Sequence, residues 1–183
     1  MYDAIIRSIK AYGTFSEDAI DHFVSYLREV SIKKGASILE HGETCQDIGF
    51  LQQGSFLQYY KDQHLNEKVV NLFVANDWVL NHSSFTSQKP SLHRIEAFED
   101  SEILSINIHD LHTLISKYPS FFTLGKILEV AGPNMHFDAT PDAKYQELLR
   151  QKPEIVKTFP LKYIASYLGM TPETLSRVRG RID

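Results

Sequence analysis

The C-terminal part of the chain reads Leu161-Lys-Tyr-Ile-Ala-Ser-Tyr-Leu-Gly-Met-Thr-Pro-Glu-Thr-Leu-Ser-Arg177. Its small Ala165 allows a second helix to cross the first closely. Gly169 can end the first helix because glycine tolerates a positive φ. Thr171 is a favourable N-cap, and Pro172 suits the first helical position, where no amide partner is needed. The stretch therefore predicts two short helices joined by a tight turn.

The apolar residues of the second predicted helix form one face, and its polar side chains form the opposite, exposed face. Residues 161–181 would then form a helix-turn-helix whose second helix enters the major groove of DNA. Glu173 can accept a hydrogen bond from a cytosine amino group, and Arg177 can pair with guanine or a phosphate. Periodicity alone is also typical of an ordinary helical hairpin, which stays open as an alternative. The candidate DNA-binding residues are Lys162, Thr171, Pro172, Glu173, Thr174, Ser176, Arg177 and Arg179.

The composition is typical of a folded protein with a sizeable core. Of the 183 residues, 43% are apolar and 23% are charged, and the net charge is −4. Eight Lys and Arg and four Asp and Glu lie from Lys144 to the C-terminus, whereas the first 143 residues have a net charge of −8. This split indicates an acidic front module and a basic C-terminal module, and only the second suits DNA phosphates.

The N-terminal residues and the cysteine count indicate the cellular setting. The first ten residues include Asp3, Arg7 and Lys10, so they do not form the uncharged stretch of a secretory signal. No window approaches 18 consecutive apolar residues, and a cytoplasmic protein is therefore expected. The single cysteine, Cys45, cannot form an internal disulfide and is expected to be structural.

Alternating apolar and polar residues between Ser31 and Asn107 predict a series of short strands. Turn residues separate these runs at intervals of about 8–12 residues, which is typical of a β-sandwich or barrel. Helical periodicity precedes this region and returns after it. The predicted strands are 37–39, 47–51, 55–60, 68–73, 78–80, 93–98 and 102–106, and the predicted helices before the final pair are 2–11, 17–30, 108–118, 120–130, 142–151 and 154–158.

The C-terminal stretch closely resembles the recognition region of the cyclic-AMP receptor protein/FNR family, especially its short Bacteroidetes-type members. Lys33-Lys-Gly-Ala-Ser-Ile-Leu-Glu-His-Gly-Glu43 is similar to that family's opening strand and turn. Phe50-Leu-Gln-Gln-Gly-Ser-Phe-Leu57 resembles the following strand pair, and Glu96-Ala-Phe-Glu-Asp-Ser-Glu-Ile-Leu104 resembles the strand after the phosphate-binding cassette. The resemblance covers about residues 30–181.

The resemblance implies an α+β fold with three parts. These are a cyclic-nucleotide-binding-like β-roll (double-stranded β-helix or jelly roll) in residues 1–118, a dimerisation helix and hinge in 119–140, and a helix-turn-helix domain in 141–183. It further implies a homodimeric, non-enzymatic transcription regulator that binds double-stranded DNA and contacts RNA polymerase. The family's base-reading positions fall on Pro172, Glu173 and Arg177. Because Pro172 replaces an arginine, the family's familiar target sequence is not expected.

The phosphate-binding cassette departs from the family pattern. Leu80-Asn81 stands where a Gly-Glu pair belongs, and Ser91-Leu92 stands where an arginine and a small residue belong. The ribose acceptor and the phosphate cation are both lost, and His93 or Arg94 could replace them only from a different strand position. No cyclic nucleotide and no cofactor is therefore expected, although another effector remains open. The candidate ligand-binding residues are Leu80, Asn81, His82, Ser83, Ser91, Leu92, His93 and Arg94.

The predicted dimerisation helix is short. It spans only 120–131 before Gly132-Pro133, about two turns fewer than is usual in the family, and 134–140 is predicted to be an irregular hinge. Dimerisation through another surface is therefore an alternative.

Two other functions are weighed against the regulator. A cupin-like metal-dependent enzyme would draw on His82 and His93, or on His41 with Glu43, but no His-x-His pattern occurs and no metal is expected. The second is a ligand-sensing or interaction module whose helix-turn-helix no longer binds DNA.

Overall fold

The computed structural model describes residues 2–126 and 139–182. Two helices precede eight strands, a short helix interrupts the strands, and further helices follow. The strands are β1 (Arg28–Ile32), β2 (Ser37–Leu39), β3 (Asp47–Gln53), β4 (Ser55–Lys61), β5 (Glu67–Val74), β6 (Trp78–Val79), β7 (Arg94–Ala97) and β8 (Ser101–Asn107). The α-helices are α1 (Asp3–Lys10), α2 (Glu17–Tyr26), α3 (His82–Ser87), α4 (Ile108–Lys117), α5 (Pro141–Gln151), α6 (Pro153–Thr158), α7 (Leu161–Tyr167) and α8 (Pro172–Ile182), with a 3-10 helix at Pro119–Thr123.

The strands form two four-stranded antiparallel sheets that face each other as a β-roll. The first sheet has the order β1-β8-β3-β6, and the second has the order β2-β7-β4-β5. Alternate residues of each strand point into the roll, as the two-residue period of a strand requires. In β4, Phe56 joins the core of the roll, whereas the neighbouring Leu57 joins a separate cluster with the C-terminal helices.

Helices cover the outer face of the first sheet. Ile5 and Ile9 of α1 and Phe23 of α2 are fully buried in the same core as residues of β3 and β8. The indole Nε1–H of Trp78 donates to the Ser8 hydroxyl at 2.9 Å, which ties β6 to α1. This arrangement leaves the inner face of the first sheet directed at the second sheet.

The C-terminal helices pack on the outer face of the second sheet. Their buried residues, including Ile164 and Leu168, share one apolar cluster with Leu57 and Tyr59 of β4 and Leu72 of β5. The cluster places the C-terminal helical domain directly against the sensor sheet.

The α+β architecture with a β-roll followed by C-terminal helices confirms the predicted fold class. The predicted helix 17–30 is too long, because Arg28 to Val30 pair with Ser105 to Ile103 in β8. The predicted helix 120–130 begins within a 3-10 helix, Pro119–Thr123. Residues 127–131 of the predicted dimerisation helix and most of the predicted hinge, 134–140, lie outside the described residues. Cys45 is buried and is a free thiol rather than part of a disulfide.

Candidate functional site

The two C-terminal helices are joined by the turn that the sequence predicts. Gly169 follows α7 with a φ of +67°, the left-handed conformation that glycine adopts most easily. The amide of Met170 donates to the Ala165 carbonyl at 2.9 Å, and the amide of Gly169 donates to the Ser166 carbonyl at 3.0 Å. These bonds satisfy the last carbonyls of α7 and reverse the chain within a few residues.

Helix α8 begins at a side-chain cap. The Thr171 hydroxyl accepts the amide N–H of Thr174 at 3.2 Å, as an N-cap does. Leu175 and Val178 are buried against the domain, and Ala165 of α7 is fully buried as well. The buried residues of α8 fix one face of the helix, so its opposite face is available for contact.

The residues predicted to bind DNA separate into an exposed group and a partly buried group. Thr174 and Arg179 are partly buried. Arg181, which was not in the predicted set, is held by Asp142 of α5 through one guanidinium nitrogen 2.7 and 2.8 Å from the two carboxylate oxygens. The exposed predicted residues are Lys162, Thr171, Pro172, Glu173, Ser176 and Arg177.

Glu173 and Arg177 form an electrostatic pair on the exposed face. They lie four residues apart in α8, so both side chains point to the same side of the helix. The Glu173 backbone amide and the Thr171 hydroxyl hydrogen-bond the Glu173 carboxylate, and with the Arg177 charge they lower its pKa. Glu173 is therefore an ionised acceptor, which suits a base amino group, and Arg177 is a donor, which suits a guanine edge or a phosphate.

The cassette is closed by its own side chains. Asn81 is only 2% exposed, and its Oδ1 accepts the amide N–H of Ser84 at 3.0 Å, which caps helix α3. Its Nδ2 donates to the Ser91 hydroxyl at 2.7 Å, and that hydroxyl donates to the His93 carbonyl at 2.7 Å. The two positions where the resemblance places a ribose acceptor and a phosphate cation therefore bond to each other.

His93 and Arg94 point to opposite faces of the second sheet. The imidazole Nδ1 of His93 lies 3.2 Å from Gln58 Nε2 on the inner side. Burial, and then the nearby His41, lower the pKa of His93, so its ring is neutral at pH 7. Arg94 lies on the outer face, where it pairs with two carboxylates, Glu96 at 3.2 Å and Glu40 at 3.4 Å. Neither side chain offers a free cation to the cassette.

An open cavity of about 600 Å³ lies beside the cassette rather than within it. Three of the predicted ligand-binding residues, Leu92, His93 and Arg94, line it. Leu80 is instead buried in the core, while His82 and Ser83 begin helix α3. The other lining residues were not predicted from the sequence; they are Glu40, His41, Tyr59, Tyr60 and Lys61.

The cavity borders the contact between the sensor and the C-terminal domain. Tyr59 lines the cavity and also belongs to the apolar cluster that the C-terminal helices share. Its hydroxyl donates to the Glu96 carboxylate at 3.0 Å. At the same boundary, Phe98 stacks on Phe159 with a centroid separation of 5.0 Å. Tyr59 therefore contacts both the cavity and the helical domain.

The histidines do not assemble a metal centre within residues 2–126 and 139–182. No group of three or more His, Cys, Asp or Glu side chains in these ranges is placed to hold a metal ion. His109 and His112 are exposed on α4. Among the helices of the same ranges, none has the length and apolar character that a membrane span requires.

Comparison with known proteins agrees with this architecture. The family model described as a cyclic nucleotide-binding domain matches residues 29–118. No curated protein matches the chain by sequence. Among solved structures, FixK2 from Bradyrhizobium japonicum is similar with a TM-score of 0.67 and 14% identity, over 85% of this chain and 84% of the other.

Two further structures have similar folds. A putative transcriptional regulator of the Crp/Fnr family from Eubacterium rectale gives a TM-score of 0.60 at 15% identity, over 91% of this chain and 83% of the other. The catabolite activator protein of Thermus thermophilus gives 0.54 at 18% identity, over 92% of this chain and 84% of the other. Residues 29–118 therefore match the cyclic nucleotide-binding domain family, and the chain has the fold of the Crp/Fnr transcriptional regulators.

Proposed function

We propose that this protein is a sequence-specific transcription regulator that binds double-stranded DNA as a homodimer and does not respond to cyclic nucleotides. The observation that supports the DNA-binding half most directly is the exposed face of α8. A capped helix, anchored by Leu175 and Val178, presents Glu173 and Arg177 to solvent on the same side. A merely structural hairpin does not require an exposed face with this chemistry.

Electrostatics favour the same surface. The chain as a whole is acidic, with a net charge of −4, yet eight Lys and Arg lie from Lys144 onward. Phosphate attraction would therefore orient the C-terminal domain, rather than the sensor, toward DNA. In a homodimer, two copies of α8 would enter successive major grooves about 34 Å apart, which predicts an inverted-repeat target.

The side-chain network of the cassette supports the second half of the proposal. A cyclic nucleotide needs an acceptor for its ribose hydroxyl and a cation for its phosphate. Asn81 and Ser91 instead satisfy each other and the start of α3. Binding would bury a phosphate charge beside a neutral His93, at a cost of several kcal/mol. We infer that a different effector, or none, acts on this sensor, and that the protein works in the cytoplasm as a regulator and not as an enzyme.

Selection from a randomised duplex pool tests the DNA-binding proposal. The purified protein is incubated with the pool across a salt series, and the bound duplexes are sequenced. We expect enrichment of an inverted repeat and an affinity that falls steeply as salt rises. Arg177→Ala should lose the enrichment, whereas Arg150→Ala, which removes an equally exposed arginine paired with Glu147 on α5, should keep it. Failure to bind any duplex at low salt would contradict the proposal.

Titration calorimetry tests the sensor proposal separately. Cyclic AMP and cyclic GMP are each added to the protein at concentrations up to 1 millimolar, roughly the limit of a weak site. We expect no binding heat above dilution. Micromolar binding of either nucleotide would contradict the sensor proposal and would leave the DNA-binding proposal standing.

A further inference from the structure

The β-roll encloses a second cavity, separate from the one beside the cassette. Its volume is about 730 Å³, and it opens between the edges formed by β1 and β2. Of the residues that the sequence analysis assigned to ligand binding, only Leu80 borders it. The exposed face of α8 and the cassette network therefore make no use of this space.

Two small residues at the centre of the first sheet create the space. Gly49 of β3 and Ser105 of β8 are directly paired neighbours, and both line the cavity. Side chains at such a pair normally lie within contact of each other and fill the interior. A Cβ placed on Gly49 would meet Ile103 Cδ1 at 3.2 Å and the Val79 carbonyl at 3.6 Å. A side chain at position 49 would therefore push Ile103, another lining residue, and would reduce the cavity.

The walls of the cavity are apolar and come from both sheets. Ile32, Leu39, Val79, Ile95 and Ile103 line it, and each is at most 8% exposed. Protein interiors are close-packed, and voids much larger than a water molecule are few in each domain. The aliphatic part of these walls gives water few polar partners and accepts apolar molecules, whereas Ser37, Thr44 and Gln46 contribute polar groups to the same lining.

The rim of the cavity determines which headgroup a ligand can carry. Arg28 and Asp47 at the mouth pair with each other at 2.8 Å, so neither is a free charge. Glu43 also borders the mouth. The three side chains of Arg28, Asp47 and Glu43 together therefore have a net negative charge. A carboxylate or phosphate headgroup is therefore disfavoured, whereas a hydroxyl or amide could hydrogen-bond to the rim.

We propose that this cavity, lined by residues of both sheets that include Gly49 and Ser105, is a binding site for an uncharged, largely apolar small molecule. Its volume lies within the range of small-molecule sites, about 300–1,000 Å³. Small β-barrels and rolls are wide enough to hold one such ligand. The proposal concerns the sensor alone and does not depend on DNA binding.

A fluorescent probe tests this site directly. N-phenyl-1-naphthylamine is uncharged and becomes brighter in apolar surroundings. With the full-length protein, we expect saturable binding of one probe per chain, displacement by 1-decanol, and at least threefold weaker displacement by decanoate because of the acidic rim.

Variants place the probe in one cavity or the other. Ser105→Leu adds a large side chain to the lining of the β-roll cavity and should weaken probe binding at least tenfold. Gly49→Ala is a smaller change that should weaken binding about threefold, and it serves if Ser105→Leu does not fold by circular dichroism. Leu92→Ala, which removes a 71% exposed leucine beside the other cavity, tests that cavity. The matched control is Leu65→Ala, which removes a 77% exposed leucine that lines neither cavity and should leave binding unchanged.

Three results would overturn the proposal. These are the absence of saturable probe binding to the wild-type protein, equal binding by wild type and the folded filled variants, and loss of binding only in Leu92→Ala. The last would place the probe in the cavity beside the cassette.

Discussion

The hydroxyl of Ser166, in the first helix of the helix-turn-helix, accepts the backbone amide N–H of Val69 at 2.9 Å. Val69 lies in β5, which is an edge strand of the second sheet. An edge strand presents backbone amides that no neighbouring strand pairs, and a helix packed against the edge is one way to cover them. The C-terminal helical module is thus joined to the β-roll by a hydrogen bond to its main chain, in addition to apolar packing.

Ser166→Ala should destabilise the protein by about 1 kcal/mol, because the amide of Val69 would lose its acceptor in a partly buried contact. Urea unfolding of both proteins measures the difference. Ser176→Ala, an exposed serine of α8, is the matched control and should lie within about 0.5 kcal/mol of wild type. Equal stability of all three proteins would show that the contact contributes nothing.

Lys152 and Asp77 join the same two domains at a second point. The Lys152 ammonium lies 2.9 Å from both carboxylate oxygens of Asp77, whose side chain is 19% exposed. Lys152→Met keeps most of the side-chain length and removes the charge. The free energy of unfolding should fall by about 1–2 kcal/mol, since a partly buried carboxylate loses its cation. Lys157→Met is the control, because Lys157 pairs with Glu154 at the surface and should matter little. An equal effect of the two changes would contradict this prediction.

The sequence predicts features that depend on neighbouring residues better than features that depend on contacts with distant strands. The turn of the helix-turn-helix follows from Gly169 and Thr171, whose roles are set within a few residues of the chain. The end of α2 does not, because Arg28 to Val30 continue a helical pattern but pair with β8. Helical propensity is a weak preference, and pairing with a distant strand overrides it.

Asn81→Ala should destabilise the cassette by about 1–2 kcal/mol. The change removes the cap of α3 and leaves the Ser91 hydroxyl without the Nδ2 donor. Thermal unfolding measures the loss. Ser87→Ala, at the exposed end of the same helix, is the control and should have little effect. If both variants unfold at the wild-type temperature, Asn81 does not hold the cassette together.

The sequence showed that the cassette had lost its usual pair of residues, but not what replaced them. The bonding of Asn81 to Ser91 depends on how the loop after α3 returns to β7, which no local pattern encodes. Tyr60 and Lys61 reach the cavity because β4 lies beside β7, with Tyr59 opposite Arg94. Strand pairing between distant segments is set by the whole sheet, so these residues were missed.

Alkaline pH should destabilise the contact between the sensor and the C-terminal domain. Burial, and then the hydrogen bond to the Glu96 carboxylate, raise the pKa of Tyr59 to about 12. The unfolded chain therefore releases this proton near pH 10, before the folded protein does. The stability that Tyr59 contributes is fully present below pH 10 and is lost as pH rises from about 10 to about 12.

Urea unfolding at several pH values between 9 and 11.5 checks this dependence. Tyr59→Phe should lose less stability than wild type across that interval, because it has no proton to release. Tyr60→Phe, which alters the adjacent and 41% exposed tyrosine, should follow wild type closely. Parallel curves for wild type and Tyr59→Phe would contradict the assigned linkage.

Two glycine substitutions in the helix-turn-helix should shift stability in opposite directions. Gly169 has a φ of +67°, and a side chain there is strained even though the nearest atom to an added Cβ, Lys144 Nζ, is 3.8 Å away. Gly169→Ala should therefore cost about 1 kcal/mol. Gly180 lies within α8, where an added Cβ meets nothing within 4 Å, so Gly180→Ala should stabilise the protein by up to about 1 kcal/mol. Urea unfolding of the two variants beside wild type measures both changes. If Gly169→Ala were as stable as wild type, the turn would not depend on a left-handed residue, and the close approach of α7 and α8 would need another explanation.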